Sequence, residues 1–425
     1  MAETDRVILG ENCIYSSDCE ETGINNNILV VGCTGCGKTM SITEPRLLET
    51  VNSCLVVTVT KRRLIGKYAP LFQRRGYNVW DLNFTNPTSS SISYDPLAYV
   101  STYADITFLA ESIVKAGPQR SNTTSDPYWN RASTSLLSAE IAYILMTKRQ
   151  PTFSDVLNLH NSIDFKEEHG LIKTSLDEKF RRLGLKYPNS FAISCWKSFQ
   201  KLPPITAGCV FSTLNSTIDT VFTPELREMM STGTYVSFEQ LATEKTVLFI
   251  STSAVNHALN CFVNIFYSQM FKQLFEFAEG RADGIVPIPV HVICDDFATG
   301  SPILNFAEYI SIFREKQISV TLLLQSESQL EAMYGADEAA TIKNNCDSYV
   351  YLGGNDLRSV KEISERLNTT VDQVLYMPVG QEIIFRRGRR PVISNRYNIR
   401  ANRLYQKLTQ MYEKNNSYRC GLAHF

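Results

Sequence analysis

Gly32-Cys33-Thr34-Gly35-Cys36-Gly37-Lys38-Thr39 fits the spacing G-x-x-x-x-G-K-[ST], the pattern of a phosphate-cradling loop. The chemistry that this spacing serves is capture of a nucleotide's phosphates. Its glycines allow a tight turn and close backbone approach, so successive amide N–H groups can face an anion. The positive end of a following helix adds to the same field. Lys38 would reach the β- and γ-phosphates, and the Thr39 hydroxyl would hold Mg²⁺. The expected contact set is Gly32, Cys33, Thr34, Gly35, Cys36, Gly37, Lys38, Thr39 and Met40. The plain alternative is an ordinary turn with a solvated lysine, and the flanking residues argue against it.

Hydrolysis at such a loop needs an acid at the end of a neighbouring strand. Val290-His291-Val292-Ile293-Cys294-Asp295-Asp296 supplies an apolar run that ends in two carboxylates. Asp295 would hold Mg²⁺ through water, and Asp296 would orient or deprotonate the attacking water. Apolar runs ending in Asp are common, so a surface turn is the alternative. Ile318 to Leu324 reads as a strand ending in Gln325, whose amide could sense the γ-phosphate or position water. Arg314 precedes that strand. It could reach a neighbouring subunit's nucleotide as an arginine finger, or be a solvated arginine at a helix end.

These groups must be positioned by a sheet. Ile28-Leu29-Val30-Val31 is a short apolar, β-branched run feeding the glycine-rich loop, and Met40-Ser41-Ile42-Thr43 can open a helix behind it. Cys54 to Val59 and Tyr77 to Leu82 read as the next strands, with a helix through Ala69 to Phe72 between them. That β-α-β-α-β order predicts an α/β fold with a mainly parallel sheet and its ligand at the carboxyl ends of the strands. From about Tyr94 to Phe238 the periodicity is helical, as in Asp105 to Val114 and Trp129 to Met146. Strands return at Val247 to Ile250, Val290 to Ile293, Ile318 to Leu324 and Ser348 to Leu352. The expected division is an arm or short hairpin over 1–24, a nucleotide-binding domain over 25–96 and 239–425, and an all-helical insertion over 97–238.

The composition is that of a soluble globular protein, with 44% apolar and 20% charged residues in 425. Lys and Arg (42) nearly balance Asp and Glu (43), so no global field advertises a nucleic acid, and any polyanion contact must be a local patch. Lys61-Arg62-Arg63 and Arg386-Arg387-Gly388-Arg389-Arg390 are the candidates, though such runs are usually solvated faces. The 11 cysteines are scattered and follow no signal peptide, which points to reduced thiols in a cytosol. Cys33 and Cys36 form a C-x-x-C, but no second pair lies near enough to complete a zinc site. Thr246 to Phe271 lacks charged residues, yet its asparagines, serines and histidine suit a buried strand and helix better than a membrane span.

Taken together these stretches resemble the coupling ATPases of conjugation and type IV secretion, the TraG/TraD-type family related to the HerA/FtsK DNA pumps. Ser93-Tyr94-Asp95-Pro96-Leu97 is similar to the family's aromatic-Asn-Pro-Leu, and Asp126-Pro127-Tyr128-Trp129 to its Asp-Pro-aromatic-Trp. Thr206-Ala207-Gly208, Gln329 to Gly335, Asn344-Asn345-Cys346 and Gly353-Gly354-Asn355-Asp356 continue the similarity in order. The resemblance implies a RecA-like domain with a helical insertion, a ring of six subunits with ATP between neighbours, and single-stranded DNA through the centre. The family's glutamine motif falls on Gln325 and its trans-acting arginine on Arg314. The helical domain would meet relaxase–DNA or protein cargo, alongside the channel's ATPases and membrane components.

Three departures qualify this. Asp296 stands where the family has Glu. Val59-Thr60-Lys61-Arg62-Arg63 replaces an acidic Asp-Pro-Lys-Gly-Glu stretch. The membrane helices with which most members begin are not seen, so a cytoplasmic protein recruited to the membrane face through a partner, or acting as a soluble variant, is expected. The leading function is an ATP-dependent motor for conjugative DNA. The alternatives are a nucleotide-gated docking adaptor with little turnover and a HerA/FtsK-like DNA translocase.

Overall fold

Runs rich in Val, Ile and Leu are stable as strands only where both faces are covered, and the described strands of this kind are almost all buried. The computed structural model describes residues 5–117, 127–168, 171–230, 233–253 and 256–421. Its strands are β1 (Arg6–Gly10), β2 (Cys13–Ser16), β3 (Ile28–Val31), β4 (Cys54–Val59), β5 (Asn78–Asn83), β6 (Phe165–Glu168) and β7 (Leu171–Thr174). They continue with β8 (Thr246–Ser251), β9 (Val290–Cys294), β10 (Ile318–Leu324), β11 (Ser348–Tyr351), β12 (Gln381–Arg386) and β13 (Val392–Asn395).

One nine-stranded sheet has the order β13-β12-β11-β3-β10-β9-β4-β8-β5. Strands β11 through β5 are parallel, and β12 and β13 add an antiparallel edge. Side chains alternate between two cores: Leu29 and Val31 enter one, Ile28 and Val30 the other. The register sets Val31 beside Leu324 and Cys294 beside Leu322, so β3, β10 and β9 end at one edge. A second, two-stranded sheet of β1 and β2 lies against the face that carries Ile384.

The helix after the glycine-rich loop begins irregularly. Thr39–Thr43 is a π-turn in which the Glu44 N–H donates to the Thr39 carbonyl. Pro45 explains this, because it has no N–H to donate and its ring would crowd the carbonyl of Ser41 in a regular α-helix. The chain then continues as Glu44–Glu49.

Between β5 and β8 the chain is mostly helical, including Tyr103–Lys115, Pro127–Thr147, Phe191–Gln200 and Pro204–Val221. Phe180 and Trp196 stack there with ring centroids 4.2 Å apart. The segment is not wholly helical, since β6 and β7 pair as an antiparallel hairpin. Phe-Lys-Glu-Glu carries a single apolar residue, too little for a strand signal. The long helix His257–Glu279 joins these helices to the sheet. Gln269 donates to the Pro96 carbonyl at 2.9 Å and accepts from the Tyr94 hydroxyl at 2.5 Å. Asp95 accepts from the Leu97 and Phe153 amides at 2.9 and 3.1 Å, tying two helix starts together. Asp126, part of one stretch quoted above, lies outside the described residues. Among the described residues no helix is long and apolar enough to cross a membrane.

Candidate nucleotide-binding site

The glycine-rich loop is held at the sheet edge by its own backbone. Gly32 N–H donates to the Leu324 carbonyl and Cys33 N–H to the Gly353 carbonyl, each at 3.2 Å. Cys36 N–H closes a turn on the Cys33 carbonyl at 3.2 Å. Gly35 and Gly37 have φ of +78° and +91°, a region that L side chains avoid. At Gly32 the constraint is space: a Cβ there would sit 2.6 Å from Cys36 Sγ and 2.8 Å from Leu352 Cβ. The C-x-x-C therefore frames the turn. Cys36 faces inward and Cys33 is exposed.

Lys38 is buried, and its ammonium donates to the Gly32 carbonyl at 2.6 Å and the Cys33 carbonyl at 3.3 Å. The cation thus rests inside the turn, with the loop's carbonyls drawn toward it. Thr39 and Met40 follow, half-buried, at the start of the π-turn.

Asp295 and Asp296 emerge from the end of β9. Burial, followed by repulsion from Asp296, pushes the Asp295 carboxyl up to about 6, while Lys38 and Lys61 pull the other way. Attraction to Lys38 places Asp295 in the field of the loop's cation. Asp296 has φ +51°. Its carbonyl accepts from Thr299 Oγ1 at 2.8 Å, and Phe297 N–H returns to the Leu323 carbonyl at 3.1 Å. The left-handed conformation favours Asp over Glu, because a short side chain tolerates it best. This gives a physical reason for Asp at a position where the family that the sequence resembles usually has Glu.

Gln325 is exposed at the end of β10, with its amide nitrogen 3.5 Å from Asp296 Oδ1. A cavity of mixed character beside these groups is lined by Thr58, Asn260, Asp295 and Asp296 together with Val263, Tyr267 and Phe297. The loop, both aspartates and the glutamine therefore meet at one edge. Arg314 does not join them. It lies in the turn Phe313–Lys316 ahead of β10, exposed, at the opposite end of a seven-residue strand. That is roughly 20 Å away at ~3.3 Å per residue.

A model of the type IV secretory system conjugative DNA transfer family matches residues 4–375. The chain belongs to that family. Membership makes it a P-loop ATPase of conjugative DNA transfer. No curated protein matches the sequence significantly. Among solved structures, the unbound conjugative coupling protein TrwBdeltaN70 superposes with a TM-score of 0.70 at 15% identity, covering 93% of this chain and 89% of that one. TrwB in complex with ADP and Mg²⁺ gives 0.67 at 15% identity, covering 93% and 96%. VirB4 of Thermoanaerobacter pseudethanolicus gives 0.55 at 12% identity, covering 95% and 98%. At these identities the likeness speaks for the fold, a RecA-like P-loop domain with a helical insertion.

The basic runs of this family member are committed to structure only in part, and Lys61 and Arg63 are exposed. Arg62 bonds Asp81 at 3.1 Å and Ser251 Oγ at 2.6 Å. Arg386 lies 3.7 Å from the centroid of the Tyr15 ring, and Arg387 pairs with Asp347 at 3.3 Å. Arg389 and Arg390 remain exposed. One residue escaped the sequence reading altogether. Arg396, after β13, reaches the glycine-rich loop and donates to the Cys36 carbonyl. A lone arginine far from any motif carries no signal of such a contact.

Proposed function

We propose that the chain binds and hydrolyses ATP at this edge to deliver single-stranded DNA, or a relaxase–DNA complex, to a type IV secretion channel. The observation that carries the proposal is the convergence of the glycine-rich loop, Asp295, Asp296 and Gln325 within a family whose role is conjugative DNA transfer. The cradle fits phosphates: Gly32 leaves room that a Cβ would fill, and Lys38 supplies a cation within the turn. The hydroxyl of Thr39 and the carboxylate of Asp295 are hard oxygen donors suited to Mg²⁺. The ion, when held there, neutralises charge on the phosphates.

The protein's own groups then divide the work. Loop amides and Lys38 orient the phosphates. Asp296 accepts a hydrogen bond from the attacking water and takes its proton, and Gln325 positions that water against Asp296. Arg314, on the opposite end of β10, acts on the nucleotide of an adjacent subunit, which requires a ring, of six copies by family resemblance. The helical segment 97–238 receives cargo, 25–96 and 239–425 form the motor domain, and 1–24 form an arm. A membrane partner recruits the ring to the cytoplasmic face of the membrane.

Titration with a fluorescent ATP analogue in Mg²⁺ tests the site. Saturable binding by the wild type that Lys38→Ala abolishes is expected. Equal binding by both, or by neither, would overturn the assignment.

A further inference from the structure

Arg396 lies beyond residues 4–375, the part that the family model matches. It is half-buried where the chain leaves β13, and its guanidinium serves three backbone carbonyls at once. One N–H group goes to Cys36 in the glycine-rich loop. A second goes to Leu352 at the end of β11, at 2.7 Å, and a third to Gln381 at the start of β12, at 3.3 Å. The Arg396 main chain is itself fixed, its N–H donating to the Gly380 carbonyl at 2.9 Å.

The identity of these acceptors matters. Glu382 lies nearby and fully buried, and both its carboxylate oxygens lack a hydrogen-bond partner. Arg396 is near enough to draw that carboxyl's pKa down against the effect of burial, yet it makes no hydrogen bond to it. Arg396 instead takes three neutral carbonyls from three different segments, one with each of its three nitrogens, a spread that the single nitrogen of a lysine does not offer.

The Cys36 carbonyl and the Gly37 N–H belong to one planar peptide unit and point in opposite directions. Anchoring the carbonyl therefore aims the amide. Among the described residues the Gly37 N–H donates to no other group, and a Cβ on Gly37 would lie 3.6 Å from the Arg396 guanidinium. Gly37 holds φ +91°, and on its other side its carbonyl accepts from the Ser41 N–H at 2.9 Å, so Arg396 anchors the Cys36–Gly37 unit alone.

We propose that Arg396 is a positioning residue for nucleotide binding: it pins the Cys36–Gly37 peptide so that the Gly37 amide faces the phosphates, and it couples the loop to the antiparallel edge β12–β13. This rests on the nucleotide-site reading above. The interaction serves bound phosphate throughout turnover, so its loss weakens ATP binding and leaves the chemical step nearly unchanged.

The test uses the full chain carrying Arg396→Lys or Arg396→Gln, beside Lys38→Ala. In each we would measure the dissociation constant of a fluorescent ATP analogue, KM and kcat for ATP, and the melting temperature. The expected result is a dissociation constant and KM raised about tenfold, kcat within about twofold of wild type, and partial recovery of binding when methylguanidinium is added to Arg396→Gln. Affinity within twofold of wild type in a folded Arg396 variant, with Lys38→Ala still defective, would overturn this inference alone. Absence of binding by the wild type would overturn the nucleotide site itself. Should the variants not fold, amide hydrogen exchange on the wild type decides. Added ATP should slow exchange in 380–382 and 394–397 together with 32–40, and an effect confined to 32–40 would contradict the coupling.

Discussion

Gln325 Nε2 approaches Asp296 Oδ1 to 3.5 Å although 29 residues separate them in the chain. The approach is produced by adjacent parallel strands, since β10 and β9 end at the same edge of the sheet. It also depends on the backbone of Asp296, whose left-handed φ of +51° turns the carboxylate toward the strand that bears the glutamine.

Asp296→Asn should therefore fold like the wild type, because Asn tolerates the left-handed region equally well. Without a base to accept the water's proton, turnover should fall by about a hundredfold or more. Asp296→Glu places a longer side chain on an unfavourable backbone and should lower stability by about 1 kcal/mol. Turnover measured beside denaturant unfolding separates the two effects. A stable, fully active Asp296→Asn would contradict the role given to this carboxylate.

The core of this site was legible in the sequence for a physical reason. Glycine spacing, a lysine and strands of buried β-branched residues are local signals, and Ile28–Val31, Cys54–Val59 and Ile318–Leu324 form strands where those signals fall. Contacts between distant segments leave no such trace. The β12–β13 edge was missed because Glu382 interrupts its apolar pattern and Val392 and Ile393 lie on an exposed border. Arg396 was missed with it, and the hairpin β6–β7 escaped because its first strand has too few apolar residues.

The acid limb of the pH profile should report Asp295. Its carboxyl sits at about 6, chiefly through burial and the Asp296 charge. A raised value means that the carboxylate takes up a proton as pH falls through about 6, leaving no anion for Mg²⁺. At limiting Mg²⁺, turnover should drop roughly tenfold per pH unit below that point, and more Mg²⁺ should move the limb to lower pH because cation and proton compete. Profiles recorded at two Mg²⁺ concentrations check this, and superimposable limbs would count against Asp295 as the ligand.

Glu382 should make the fold sensitive to alkali. Burial pushes its carboxyl up to about 8, against an unfolded value of roughly 4.3. The folded protein holds this proton more tightly than the unfolded chain, so stability declines as pH rises through that window. Glu382→Gln removes the ionisation, and its melting temperature should exceed that of the wild type at pH 8 while nearly matching it at pH 5. An equal difference at both pH values would contradict the titration.

Arg314 should be dispensable for binding and needed for turnover by a neighbour. Arg314→Ala removes an exposed side chain that forms no ion pair among the described residues, so folding and ATP affinity should persist. Mixing it with Lys38→Ala subunits should restore part of the turnover that each lacks alone, because sites between complementary subunits hold both residues. No recovery from mixtures shown to co-assemble would rule out action in trans.

The most direct measurement is steady-state ATP turnover by the purified chain, assembled and with Mg²⁺, in the presence and absence of single-stranded DNA. A motor of conjugative transfer should hydrolyse ATP, accelerate severalfold with DNA, and lose both activities in Lys38→Ala. Turnover that stays at background with DNA, while ATP binding and assembly remain intact, would contradict the motor and leave a nucleotide-gated adaptor in its place.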